Sequence, residues 1–311
     1  MRIYRIVMLK LVICELLLSS TITYILRPDP LFPLPAVAVL GPAKIFGQIG
    51  CDLALLLTLF WGLTVFTAIN DCCYARMWLI YEKQNWIDFF FSLKGFIVVV
   101  LINLAFAATF LPLVYLAIED TEVFLEDLKV NDKIIYLGVY AEQEDMYCLS
   151  LKLDYWITYV AGAQMLSGAV LFMSGNILSC VAVNKHLRVL RPHISASTFK
   201  AQRGFTIMLY CQIAYPLISI VTPCVLYVVS YIFIPMPFIY ESVILRYIVC
   251  SLLLFYPVCT TVFGFTFVKP YRTYLHRKCL PIIQLWSAKV NVSHVQANER
   301  SKIIVSSVMK R

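Results

Sequence analysis

Nine polar or ionisable side chains interrupt long apolar stretches of this chain: Lys10, Glu15, Asp52, Lys94, Asn103, Gln164, Asn176, Gln212 and Arg246. Their types do not compose a catalytic set. The four histidines, His186, His193, His276 and His294, all fall outside the apolar stretches. No His-Glu-x-x-His pair, Gly-x-Ser-x-Gly elbow or phosphate-binding Gly-rich loop is present. Cys72 and Cys73 are adjacent with no histidine near them, which is not zinc spacing. The expectation is therefore no enzyme, no metal and no cofactor. What sparse polar groups in apolar walls can do is recognise a small molecule, and a cavity of that kind suits a small, mostly apolar ligand.

The elements that must position these residues are membrane helices. Apolar residues make up 61% of the chain and charged residues 14%, against about 45–50% and about 25% in soluble domains. Six apolar stretches, 5–26, 44–69, 89–116, 155–184, 204–234 and 244–268, each reach the roughly 20 residues a helix needs to cross the hydrocarbon. Helices are expected because lipid offers no partner for an unsatisfied N–H or C=O, and no long alternating run points to a barrel. The fold class is all-α: a transmembrane bundle over 1–268 and a basic tail over 269–311.

The net charge of +8 does not point to nucleic acid, because its distribution answers to a membrane. Segments 1–5, 70–88, 185–203 and 269–311 carry 18 Lys/Arg, while 27–44, 117–154 and 235–241 carry 5. The positive-inside rule places the first set, with both ends of this chain, in the cytoplasm. Segment 117–154 holds 10 of the 18 acids and is expected outside. Retention of 5–26 as a helix is preferred to cleavage as a signal peptide, since Lys10 and Glu15 interrupt it and no small-x-small site follows.

A charge at mid-bilayer costs a few kcal/mol or more, so such residues should face the bundle interior or an interface. Lys10 and Lys94 lie near inner ends and can snorkel. Asp52 and Arg246 lie near outer ends and could share a cavity mouth. Glu15 is the deepest carboxylate, with a protonated, helix-bonding role as the plainer alternative. Gln48, Asp52, Gln164, Tyr215, Tyr227 and Arg246 are the candidate ligand-cavity residues. Of the 11 cysteines, only Cys51 and Cys148 fall on the oxidising side. They are expected to pair, two free thiols being the alternative.

Pro28, Pro30, Pro33 and Pro35 predict an extended outer connection, and the apolar stretch 134–140 a lid. Pro216 and Pro223 predict a kinked 204–234 span, either a moving element or ordinary packing. The proximal tail mixes basic and apolar residues, as an interfacial helix on anionic lipid does. Cys279 is an acylation candidate there, an unmodified thiol being the plainer expectation. The sequon at Asn291 lies on the expected cytoplasmic side and should stay unmodified.

Three stretches carry a family resemblance. They are Leu31-Phe32-Pro33-Leu34-Pro35 to Gly41; Ser195 to Gln202 followed by Gln212 and Pro216; and Lys269-Pro270-Tyr271-Arg272. In order and spacing the chain resembles the nematode serpentine chemoreceptors of the class H and class I type. The resemblance covers nearly all of the chain and implies a seven-helix receptor in which 5–26 is the second helix, with the first lacking here. It implies a small-molecule ligand and a heterotrimeric G protein as partners. Cys51 and Cys148 fall where serpentine receptors commonly join the third helix to the second outer loop. Asp71, Tyr74, Arg76, Arg188, Arg191, Lys200, Arg203 and Arg272 would face the G protein. One departure stands out. An acidic-x-Arg-Tyr motif is replaced by Asp71-Cys72-Cys73-Tyr74, with Arg76 two residues beyond, so ordinary coupling is implied less firmly than the fold. The expectation is a plasma-membrane chemosensory receptor. The alternatives are a six-helix transporter or scaffold without signalling, and a truncated, non-functional receptor.

Overall fold

The computed structural model describes residues 2–31, 36–130, 146–152 and 154–218, with isolated positions between 248 and 277. Helix α1 (Arg2–Ser20) buries Val7, Leu11, Cys14 and, partly, Leu18, a stripe at three- and four-residue spacing. Its other face is equally apolar but exposed, through Ile6, Leu9, Val12, Ile13 and Leu16. A helix that is apolar all round while burying only one stripe belongs in lipid. A wide turn over Thr21–Leu26 ends it, closed by Arg27 in the left-handed region (φ 45°) with its N–H on the Ile22 carbonyl.

Helix α2 (Gly47–Ile80) is the centre of the bundle, packed against α1, α4 (Leu93–Ala117), α6 (Trp156–Leu190) and α7 (Ala196–Pro216). Its 34 residues span about 50 Å at 1.5 Å per residue, well beyond the hydrocarbon thickness. It therefore carries Asn70, Asp71 and Arg76 inside the bundle as buried residues, where a loop from residue 70 was expected. The 35-residue α6 likewise runs past residue 184 to Leu190. A short helix, α3 (Gln84–Phe90), turns the chain into α4, whose start at residue 93 is capped by the Ser92 hydroxyl accepting from the Gly95 N–H. Four helices among the described residues are long and apolar enough to cross a membrane: Ile6–Leu26, Pro42–Ile80, Leu93–Ala117 and Trp156–Leu190.

Helix α7 begins where Ser195 caps it, its hydroxyl accepting from the Thr198 N–H at 3.2 Å. The Ser-x-x-Thr spacing is thus a helix start. Pro223, the lid stretch 134–140, the span 244–268 as a continuous element, Cys279 and the tail lie outside the described residues.

The extended connection is a sheet. Strands β1 (Pro28–Pro30), β2 (Ala36–Val39), β3 (Ile118–Glu119) and β4 (Tyr147–Leu151) lie antiparallel in the order β1-β2-β4-β3, with Ala38 opposite Cys148. Period-two alternation sends Ala36, Ala38 and Cys148 to one cluster with Phe124 of α5 (Thr121–Val130). Val39 and Leu149 join Cys51, Ala54 and Ile118 on the helix side. The sheet therefore covers one end of the bundle, and the long extensions of α2 and α6 form the far end.

Candidate functional site

At the sheet end, Gly47 takes a positive φ of 68° that admits glycine readily, and this sharp entry starts α2. Gln48 and Asp52 are one turn apart and share a face. Gln48 Nε2 donates to Asp52 Oδ1 at 2.8 Å. The Gln48 side-chain oxygen, Oε1, accepts from the Thr121 hydroxyl. Thr121 in turn accepts from the Cys148 N–H at 3.2 Å and lies 2.9 Å from the Cys148 carbonyl. A hydroxyl carries one proton, so Thr121 donates to Gln48 or to Cys148 at any moment. This buried knot ties α2, α5 and β4 into one unit. Sequence reading missed Thr121, one hydroxyl in an acidic segment with no motif around it.

Cys51 and Cys148 are both fully buried thiols beside this knot. Burial first, and the neighbouring Cys51 sulfur second, push the Cys148 thiol up to about 12. The other cavity candidates are dispersed. Gln164 donates to Thr109 Oγ1 of α4 at 2.7 Å, a lateral bond between helices. Tyr215, half-buried against the central cluster, meets Phe263 edge-on at 6.2 Å. Tyr227 and Arg246 lie outside the described residues, so Asp52 and Arg246 are not seen together.

In the middle of the bundle the buried Glu15 accepts from Thr260 Oγ1 at 2.9 Å, a bond between positions 245 residues apart. Asn70, Asn176 and Gln212 are buried, and one side-chain oxygen on each has no hydrogen-bond partner among the described residues. Asn176 lies one turn from Met173 and Cys180, and Gln212 one turn from Met208 and Leu209, all in the same central cluster. These buried amides therefore give the core a polar interior.

At the far end, Lys10 Nζ contacts Asp71 Oδ2 at 2.5 Å, so α1 supplies the partner for the acidic residue of the altered motif. The Tyr74 hydroxyl occupies the place a side chain at residue 175 would fill, 2.6 Å from a Cβ built on Gly175. Arg76 is buried and reaches across to α7. Its Nη2 donates to the Gln202 carbonyl at 3.1 Å, and its guanidinium lies 5.5 Å over the Phe205 ring. On the other side of that helix, a Cβ at Gly204 would come within 2.6 Å of the Phe267 carbonyl oxygen. Tyr81 donates to the Ala182 carbonyl at 3.3 Å and stacks on His186 at 4.3 Å, fastening α2 to α6.

The far-end candidates thus divide. Asp71 and Arg76 point into the bundle, and Tyr74 is half-buried between α2 and α6. Arg188, Arg191, Lys200 and Arg203 are exposed, with Arg191 over the Phe199 ring at 5.6 Å. Arg272 lies outside the described residues. Three or more His, Cys, Asp or Glu side chains placed to hold a metal do not occur among the described residues.

The sequence model of one family, described as serpentine type 7TM GPCR chemoreceptor Srh, matches residues 1–280. No curated protein and no solved structure matches the chain.

Proposed function

Because this chain belongs to the Srh family of serpentine seven-transmembrane chemoreceptors, a multi-pass membrane family of receptors and not of enzymes, we propose that it senses a small, mostly apolar molecule at the plasma membrane and signals to a heterotrimeric G protein. The sheet end faces outward and the far end, with residue 2 and the basic tail, faces the cytoplasm. The asymmetry of 18 against 5 Lys/Arg supports that orientation.

The observation that carries the reading is the contact of Arg76 with Gln202 and Phe205. It bridges the central helix to the helix that bears the exposed Lys200 and Arg203. A charge-assisted hydrogen bond contributes roughly 1.5–3 kcal/mol and a desolvated cation–π contact about 1–2 kcal/mol, not additively. Coupling energies between sites are typically about 1–3 kcal/mol. A latch of this strength is one that ligand binding can overcome, and a ligand moves such an equilibrium only by its differential affinity for the two arrangements.

Ligand would enter at the sheet end, past Gln48 and Asp52, toward a polar-centred interior near Gln212 and Tyr215. Arg188, Arg191, Lys200 and Arg203 would receive the G protein. Cys51 and Cys148 would close into a disulfide once the sheet end meets an oxidising compartment. Arg203→Glu tests the coupling half of the reading. It should abolish the ligand response while surface expression and ligand binding stay normal; an unchanged response refutes the role of this surface. The transporter alternative rests on Glu15, and its engagement with Thr260 favours a tie between helices instead.

A further inference from the structure

At the sheet end, a cleft of about 520 Å³ opens between the end of α4 and the start of α6, lined by Leu116, Glu119, Lys152, Asp154 and Tyr155. Its walls are built from fixed backbone. Ile118 and Glu119 pair with Leu151 and Ser150 across β3 and β4. The Lys152 N–H donates to the Ala117 carbonyl at 2.9 Å, and its own carbonyl accepts from Thr158 Oγ1 at 2.5 Å and from the Tyr155 N–H at 3.2 Å. The three charged side chains stand on this frame without neutralising one another, since the salt bridge found among the described residues is Lys10–Asp71.

We infer that this cleft is a headgroup site for a zwitterionic membrane phospholipid, one carrying a phosphate and an ammonium. The charge pattern selects that chemistry. One ammonium, Lys152, stands with two carboxylates, Glu119 and Asp154. A plain anion meets a net negative wall, and a plain cation meets Lys152. A phosphate joined to an ammonium answers both, with phosphate on Lys152 and the cation between the carboxylates. The Tyr155 ring adds a face of the kind that attracts substituted ammonium groups.

Position selects a lipid over a soluble zwitterion. The cleft lies where two membrane-crossing helices end. Tyr115, Trp156 and Tyr159 are exposed around it, the amphipathic aromatic residues that gather at the headgroup level. Beside them Leu116, in the cleft wall, and Val160, one turn into the following helix, expose apolar surface, so acyl chains leave the cleft directly onto apolar protein. A soluble ligand has no use for those flanks.

The test uses the purified full chain in detergent, with bound lipid read by native mass spectrometry. Phosphatidylcholine, phosphatidylglycerol and soluble phosphocholine are the probes. The unaltered protein should retain phosphatidylcholine about fivefold more than phosphatidylglycerol, the factor expected of one or two partly exposed charge contacts. Soluble phosphocholine at equal concentration should not displace it. The Glu119→Gln, Asp154→Asn double variant should lose that preference with unchanged helix content by circular dichroism. Equal retention of the two lipids overturns the inference. Displacement by phosphocholine assigns the site to a soluble zwitterion and overturns the lipid source. A double variant that folds and keeps the preference removes the carboxylates from the site.

Discussion

Arg76 on the central helix donates to the main-chain carbonyl of Gln202 on α7, 126 residues away. The acceptor already receives the Thr206 hydroxyl at 3.1 Å, so two side-chain donors, one from each helix, converge on one oxygen. Because the acceptor is backbone, the side chain at 202 cannot be varied to break the bond, and the test must be made at Arg76. Arg76→Ala should raise ligand-independent G-protein activation. A latch of about 1–3 kcal/mol predicts a shift in population of roughly 5- to 150-fold. Arg76→Lys should fall between, since an ammonium keeps the charge but loses the planar contact with Phe205. The readout is basal nucleotide exchange normalised to surface receptor. Basal activity unchanged in both variants, at normal expression, would remove Arg76 from the switch.

The close approach at Gly204 is a second restraint on the same helix. Its missing side chain leaves 2.6 Å to the Phe267 carbonyl oxygen, and a backbone atom cannot rotate away. Gly204→Ala should therefore cost about 1–3 kcal/mol through overpacking. Gly62 supplies the control, because a Cβ there meets nothing within 4 Å. Gly62→Ala should stabilise its helix by about 0.5–1 kcal/mol. Thermal melting of the two purified variants in one detergent checks both signs. A stabilised Gly204→Ala protein would show that the two helices are not in contact there.

Lys10 and Asp71 form a pair that either partner alone would betray. Removing Lys10 leaves a carboxylate in the bundle without its cation, and Lys10→Met should lower stability by about 1–3 kcal/mol. Replacing both, Lys10→Met with Asp71→Leu, should recover most of that loss, since an apolar pair of similar volume avoids the desolvation of two charges. The double-mutant cycle measured by thermal melting gives the coupling directly. Additive single losses would mean that the two charges do not interact in the folded receptor.

Much of the bundle was legible because apolar runs of helical length leave few options in lipid. The ends were not. Asp71 and Arg76 read as loop residues because charge near a span end ordinarily marks its exit into water. Here their partners are Lys10, 61 residues earlier, and a carbonyl 126 residues later, and no local pattern reveals either. The sheet escaped notice for a related reason. Its strands hold between two and five residues, too few for alternation to register, and two of the residues in β1 are prolines. Gln48 and Asp52 were singled out together and do hydrogen-bond. Thr121, which anchors them to the sheet, carried no signal beyond being a hydroxyl.

Thr121 offers the sharpest test of how the sheet end is coupled to the bundle. Thr121→Val keeps the shape and deletes the hydroxyl, leaving the buried Cys148 N–H and the half-buried Gln48 Oε1 without their partner. Each such loss costs about 1–3 kcal/mol. Thr121→Ser keeps the hydroxyl and should stay near the parent. The chemistry of Cys148 reports the local outcome. With its thiol pushed up to about 12 and buried, native Cys148 should resist maleimide at pH 8, because the thiolate is the nucleophile. Loosening the knot by Thr121→Val should raise the labelling rate in protein kept under reductant. Peptide mapping of protein from the cell surface, without reductant, should instead find Cys51 joined to Cys148. Labelling as fast in the parent as in the valine variant would mean that the knot does not hold the strand. Peptides recovered unjoined at both cysteines would leave the sheet end held by hydrogen bonds and packing alone.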